Sequence, residues 1–401
     1  MKDSIMPHTD SSATDIRSTS AAWWAVISLA LGAFGLVTAE FLPISLLTPM
    51  ATELGTSNGT VGQTITATAV VAAFAGPLVV LGAGRLDRQK IVWGLMVVLV
   101  LSSILCACAS TVTDLLIARG LLGFALGSFW AMMTALALRL VPPDKVPKAI
   151  SIILMGISFA TVFAAPLGAF LGDLWGWRMT FLAASGIGVV ALVIQMLTLP
   201  RLPTDTAPNL ASFRAALSRR AVATGLASGL LIISGHFAAL TFIRPFLEEV
   251  PRLDVATVSL ALLAFGVCGF VGNLAGGFIA ARSPAWAVTS CAFMITIMAL
   301  ALALFGTQAD VALVATALWG FAFGAFPVSI SVWNARAAAD NAESAGALLS
   351  CTFQVAIAAG AVLGGLIIDA LGARAVTLYA AVATLAGATL MFTRGRALEK
   401  R

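Results

Sequence analysis

The 401-residue chain is 60% hydrophobic and only 10% charged, with a mean hydropathy of +1.01. A water-soluble domain carries roughly a quarter charged residues, so the composition excludes a soluble enzyme and implies an integral membrane protein. Its net charge of +5 would suit a nucleic-acid partner only if it were clustered, and it follows the loops instead.

Residues 1–21 are rich in Ser, Thr and Asp and lack the basic-then-apolar order of a cleavable signal, which predicts a disordered tail. Apolar segments follow near 22–47, 61–83, 91–110, 114–139, 149–171 and 179–199. Residues 200–220, with Pro200, Pro203, Pro208 and Arg219-Arg220, interrupt the pattern and read as a linker. Six more segments lie near 221–245, 256–281, 287–306, 311–334, 345–368 and 375–393, before a short tail over 394–401. Each is close to the ~20 residues that cross a bilayer as a helix. The expected organisation is a six-helix bundle over 22–199, the linker, and a second bundle over 221–393.

Placing residue 1 in the cytoplasm puts eighteen Lys and Arg residues on the inner side and four outside, namely Arg178, Arg244, Arg252 and Arg374. The positive-inside rule then sets both termini in the cytoplasm. The five cysteines, Cys106, Cys108, Cys268, Cys291 and Cys351, sit in apolar stretches without metal-ligand spacing and read as small core residues. No metal site or cofactor is expected.

A few residues are not explained by apolar packing. Glu40 lies ~26 Å along the first segment from Trp23-Trp24, where a carboxylate needs water or a partner and is a functional candidate by default. Arg119 enters the fourth segment from the other direction at a similar depth. Either the two form a structural ion pair, or Glu40 binds and releases a proton while Arg119 sets its affinity. His236 in the seventh segment is a packing residue, a substrate donor or a second proton site. Arg244-Pro245 either snorkels to headgroups or guards the outer mouth with Glu248-Glu249. Seven tryptophans fall near segment ends, as an interfacial belt predicts. Trp130 and Trp319 fall near mid-segment, where they pack or stack a planar substrate. Asn334, like Asn273 and Gln354, could hydrogen-bond in a cavity or link helices.

The chain repeats itself. Pro166-Leu-Gly168-Ala-Phe-Leu-Gly-Asp173-Leu-Trp-Gly176-Trp-Arg178 returns after 196 residues as Val362-Leu-Gly364-Gly-Leu-Ile-Ile-Asp369-Ala-Leu-Gly372-Ala-Arg374. Gly123-Phe-Ala-Leu-Gly127 and Gly320-Phe-Ala-Phe-Gly324 repeat at 197. Duplicated apolar halves point to a transporter with a shared site at mid-depth. Arg119 has Thr316 as its counterpart, so the charged apparatus resides in one half.

These residues resemble the major facilitator superfamily, in its twelve-helix drug/proton antiporter branch. Arg119-Gly-Leu-Leu-Gly123 resembles that branch's fourth-helix motif, whose arginine is associated with proton coupling, and Ala165-Pro166-Leu-Gly168 resembles its fifth-helix antiporter motif. Gly82-Ala-Gly84-Arg85-Leu-Asp87-Arg88 is similar to the superfamily's gating loop, without the glycine between the basic residues. Within the branch, Glu40-Phe-Leu-Pro43, Gly127-Ser-Phe-Trp130 and Thr241-Phe-Ile-Arg244-Pro245 resemble exporters of sugars and, most of all, of purine ribonucleosides; His236 stands where the nucleoside exporter that the chain resembles has glutamine.

The resemblance implies an all-α integral membrane protein with twelve transmembrane helices in two pseudo-symmetric bundles, in the bacterial inner membrane and monomeric. It implies a proton-coupled antiporter, not an enzyme, exporting nucleosides such as inosine or guanosine by alternating access. Glu40 and Arg119 would couple protons, Trp130, His236, Trp319 and Asn334 would contact substrate, and Gly82, Arg85, Asp87, Arg88, Pro166 and Gly168 would serve gating. Sugars or amphipathic drugs are the alternative cargo, and a non-transporting sensor the alternative class.

Overall fold

The computed structural model describes residues 20–82, 86–142, 145–202, 210–338 and 342–399, and every regular element among them is helical. In chain order these are α1 (Ser20–Glu53), α2 (Asn58–Gly82), α3 (Arg88–Cys108), α4 (Val112–Leu140), α5 (Val146–Thr198), α6 (Leu210–Leu217) and α7 (Arg220–Thr241). Then follow α8 (Ile243–Glu249), α9 (Val255–Arg282), α10 (Pro284–Phe305), α11 (Ala309–Ala337), α12 (Ala342–Leu371), α13 (Ala373–Leu390) and α14 (Arg396–Glu399), with one π-helical turn, Met391–Gly395, between the last two. Ten helices are long and apolar enough to cross a bilayer, so the chain is a multi-pass membrane protein. Helices suit hydrocarbon because each satisfies its own backbone polar groups. Residues 1–19, within the expected tail, lie outside the described residues, whereas the expected linker holds α6 and the expected C-terminal tail holds α14.

The 53-residue α5 is two helical arms joined at Gly176, where φ is 79°. Its counterpart Gly372, with φ 81°, stands just before α13. Both lie in the left-handed region that glycine alone enters freely, which accounts for a glycine at this place in both copies of the repeat.

Within the first half α1 lies along α5 and α2 lies on α4, with α3 against both α4 and α5. Within the second, α9 lies on α11, α10 on α11 and α13, and α7 against α12 and α13. The halves meet along two seams, α2 with α12 and α5 with α9. Small residues permit the closest crossings. A Cβ at Gly123 or Gly127 of α4 would run into the α2 backbone at Thr68 or Ala72. In the second half a Cβ at Gly320 or Gly324 of α11 would run into the α9 backbone at Phe265 or Gly269. The glycine ladder of the sequence is therefore the α2–α4 crossing and its copy, α9–α11. The ends of α1 name the two faces of the molecule used below, the Ser20 face and the Glu53 face.

Candidate functional site

Helix α1 carries two internal prolines, Pro43 and Pro49. Proline has no N–H to give the carbonyl four residues earlier, and its ring crowds that carbonyl. The two carbonyls so released are those of Ala39 and Ser45, and each is taken by a buried arginine from another helix. Arg119 of α4, 1% exposed, donates from Nη1 to the Ala39 oxygen at 2.6 Å and from Nη2 to the Glu40 oxygen at 3.0 Å. Arg244 of α8 donates from Nη1 to the Ser45 oxygen and from Nε to Glu248 Oε1 at 2.7 Å.

This explains why α1 runs on to Glu53, six residues past the end of its apolar segment: the group that Pro49 orphans has a cationic donor. The repeat offset of 196 pairs Pro49 with Pro245 and Arg244 with Thr48. Thr48 offers no cation to the Thr241 carbonyl that Pro245 orphans. There the helix breaks, with Phe242 at φ −109° and ψ 20°, and α8 restarts at Ile243.

Glu40 and Arg119 thus come together through the Glu40 carbonyl, not through an ion pair. The Glu40 side chain is half-buried and, among the described residues, its carboxylate has neither an ion pair nor a hydrogen bond. The guanidinium beside it gives both Nη atoms to backbone carbonyls, while its Nε has no hydrogen-bond partner among the described residues. The repeat counterpart of Glu40 at an offset of 196 is His236.

His236 is fully buried in α7. Trp319 Nε1 donates to its Nδ1 at 3.0 Å, and an indole N–H can only donate. The ring therefore stands as the neutral tautomer with its hydrogen on Nε2, an atom without a partner among the described residues. Phe323 stacks on the ring at 3.3 Å between centroids and 5° between planes, with Phe265 stacked at 6.2 Å and Phe237 edge-on at 5.0 Å. Trp130, half-buried, meets Phe129 edge-on at 6.2 Å in the first half. Asn334 lies apart from these, fifteen residues beyond Trp319 toward the Ser20 face, and donates from Nδ2 to the Ala345 carbonyl of α12.

The Glu53 face is laced across the halves. Thr48 of α1 donates to Glu248 Oε2 at 2.6 Å, so Glu248 joins α1 to Arg244. At the first turn of α2, Ser57 Oγ donates to Asp369 Oδ2 at 2.6 Å and the Gly59 N–H donates to Asp369 Oδ1 at 3.0 Å. A carboxylate at a helix N-terminus meets unpaired N–H groups and the positive end of the dipole. Within the first half, Glu53 pairs with Arg178 and accepts from Trp177 Nε1 at 2.6 Å. Asp173, the repeat counterpart of Asp369, is exposed and has no such partner among the described residues. Removing the cross-half bond should loosen this face. On a cysteine-free background, Asp369→Ala is expected to raise maleimide labelling of a cysteine at Gln63, beside Gly365, severalfold, and Asp173→Ala to leave it unchanged; equal rates in both would remove the bond's role.

At the Ser20 face, Asp87 precedes α3 and accepts from Gln89 N at 3.0 Å and Leu202 N at 2.8 Å, while Arg88 N donates to the Leu202 oxygen at 3.1 Å. The Asp87-Arg88 pair therefore clasps the chain leaving α5. Gly82 is the last residue of α2, and Arg85 lies outside the described residues. Pro166 releases the Val162 carbonyl, and α9 presses on it: a Cβ at Gly266 would sit 2.6 Å from Val162 Cα. A Cβ at Gly168 would run into Ser45 of α1. Pro166 and Gly168 thus face the α5–α9 seam and the proline-rich stretch of α1.

Sequence reasoning passed over Thr48 and the cross-half role of Asp369. The signals were present in the prolines, since each one names an orphaned carbonyl, and in a carboxylate near a helix start.

The halves pack along two seams, and the family and relatives that the chain matches make it a membrane transporter, not an enzyme. The chain belongs to the Major Facilitator Superfamily, which matches residues 29–346. It is 41% identical over 350 residues to the purine ribonucleoside efflux pump NepI of Escherichia coli O1:K1 / APEC, covering 87% of this chain and 88% of that protein. It is 39% identical over 369 residues to the pump of the same name from Shigella sonnei (strain Ss046), covering 92% and 93%. Among solved structures, a bacterial homologue of the human lysosomal transporter Spinster, inward-facing and occupied, superposes with a TM-score of 0.78 at 14% identity over 94% of this chain and 98% of that one. A point mutant of the nucleoside transporter NupG superposes at 0.75 and 16% identity, over 93% and 99%. At these identities the structural likenesses establish the fold.

Proposed function

We propose that the protein is a proton-coupled antiporter that exports purine ribonucleosides such as inosine and guanosine by alternating access. The observation that carries the cargo is the 41% identity, over most of both chains, to proteins named as purine ribonucleoside efflux pumps. The coupling rests on Glu40, a half-buried carboxylate with neither an ion pair nor a hydrogen bond among the described residues, whose backbone carbonyl is held by Arg119. Counting the two arms of α5 separately and adding α2 to the ten spans gives twelve. Two bundles of six follow, over 22–199 and 221–393, in the bacterial inner membrane with both termini cytoplasmic.

In this reading the Glu53 face is periplasmic and is closed by the Thr48–Glu248–Arg244 and Ser57–Asp369 contacts. Cargo enters from the Ser20 face. The Nε2–H of His236, buried in this state and oriented by Trp319, is uncovered as the halves rock and donates to an acceptor on the purine, and Trp130 offers a ring face from the other half. Protonation of Glu40 from the periplasm neutralises its charge and resets the cycle, while deprotonation inside readmits cargo. Asn334, tied to Ala345, positions the Ser20 end of α11 against α12.

The test is accumulation of labelled inosine in inverted membrane vesicles with and without an imposed pH gradient. The wild type is expected to accumulate inosine only with the gradient. Glu40→Gln is expected to bring gradient-driven accumulation down to the no-gradient level while retaining inosine–inosine exchange. Full gradient-driven transport by Glu40→Gln would remove Glu40 from coupling, and transport of arabinose or chloramphenicol in place of inosine would overturn the cargo.

A further inference from the structure

A groove of about 660 Å³ opens at the Ser20 face between the first two turns of α7 and the stretch from the last residue of α13 through the π-helical turn to α14. Its size falls within the ~300–1,000 Å³ typical of small-ligand sites. Arg220 and Thr224 stand on one wall and Thr393 and Arg394 on the other, with Leu390, Leu398 and alanines between them. Both arginines are exposed, and neither makes an ion pair among the described residues.

The hydroxyls are not free to donate. Thr224 Oγ1 already donates to the Arg220 oxygen at 2.8 Å, and Thr393 Oγ1 donates to the Thr389 oxygen at 2.8 Å. Strong donors into the groove therefore come from the two guanidiniums alone, which match the geometry of phosphate oxygens. The π-helical turn over Met391–Gly395 shapes this wall by widening the helix just where Thr393 and Arg394 face the groove.

The depth is marked by neighbouring residues. Arg396 lies over the rings of Trp286 and Phe392, at 5.3 and 5.1 Å from their centroids, and those rings are 46% and 41% exposed. Exposed tryptophan is enriched at the headgroup level, which places Trp286 there. The groove thus combines an apolar wall with two cations that have no ion pair among the described residues, at the level where lipid phosphates lie, and basic pockets between membrane helices take anionic headgroups.

We propose that this groove binds an anionic glycerophospholipid, with its phosphodiester between Arg220 and Arg394 and an acyl chain along the alanine and leucine wall. The site requires only that the chain lie in a bilayer, so it is independent of the cargo and of coupling.

The experiment is thermal unfolding of the delipidated full chain in detergent, titrated with phosphatidylglycerol, phosphatidylcholine or inorganic phosphate. Phosphatidylglycerol is expected to raise the midpoint saturably, and the other two are expected to leave it unchanged. The Arg220→Ala/Arg394→Ala variant should lose that shift or need about tenfold more lipid for it, while Arg214→Ala on α6 should behave as the wild type. If the double variant does not fold, a photoreactive phosphatidylglycerol on the wild type decides the matter, because it should label the peptides around 220–227 and 390–398. An unaltered shift in the double variant, labelling elsewhere, or an equal effect of phosphatidylcholine would overturn the proposal. An equal effect of phosphate would reduce the site to an anion site and overturn the lipid.

Discussion

Replacing Arg119 by alanine is expected to lower stability by about 2–4 kcal/mol, and replacing Pro43 by alanine in the same chain is expected to return much of that loss. The first change strands the Ala39 carbonyl, which Pro43 cannot satisfy and which lies deep in an apolar helix bundle. A buried polar group left without its partner costs about 1–3 kcal/mol, and losing a large buried side chain adds a cavity. An alanine at position 43 supplies the missing N–H, so the Ala39 carbonyl no longer needs the guanidinium. The double-mutant cycle should show a coupling of about 1–2 kcal/mol between Arg119 and Pro43.

Glu40→Gln distinguishes this account from an ion pair. If the guanidinium were held chiefly by the Glu40 carboxylate, Glu40→Gln would soften the loss in Arg119→Ala and Pro43→Ala would not. Thermal unfolding of the four chains of each cycle, in one detergent, separates the two outcomes.

The second large effect is at the α9–α11 crossing. Gly324→Ala is expected to cost about 3 kcal/mol or more, since its methyl would meet the Gly269 carbonyl and lie only 2.6 and 2.7 Å from Gly269 C and Cα. Those are backbone atoms, so a whole helix must move, and overpacking of this kind costs ~1–3 kcal/mol even where side chains can yield. Gly277→Ala is the matched control: nothing lies within 4 Å of a Cβ there, and it should be neutral or stabilising by up to about 1 kcal/mol. Equal unfolding midpoints for the two variants would show that α9 and α11 are not in contact at Gly324.

Much of the fold was legible because membrane helices announce themselves by length and apolarity, and because the repeat fixed which positions are scaffold. Gly176 and Gly372 recur for a conformational reason that sequence spacing can flag but not state. The end of α1 was less legible. Pro49 reads as a stop signal, and only a tertiary partner, Arg244, converts it into a helical residue. Position 245 carries the same signal without a partner, and there the stop is obeyed.

The candidate site was legible as a set of residue types and misleading as a set of pairs. Glu40 and Arg119 invite an ion pair because side-chain charges are what a sequence displays. The backbone carbonyls that take the guanidinium are invisible until each proline is read for the group it orphans. His236 and Trp319 were separate candidates in the sequence, and the hydrogen bond between them fixes which ring nitrogen carries the hydrogen and is left without a partner among the described residues.

The two seams between the halves are unequal, and that has a mechanical consequence. A duplicated chain inherits an isologous arrangement in which each contact should have a mirror, yet the bond from Asp369 to the start of α2 has none. At the matching place on α9 the residue before the helix is Asp254, where α2 has Ser57, and its Oδ1 accepts from the Thr257 hydroxyl of its own helix. One edge of the Glu53 face is fastened, and the other has no such bond among the described residues. The halves would then part as a door does, pivoting on the α2–α12 edge and opening first along α5–α9, rather than spreading evenly like a clamshell.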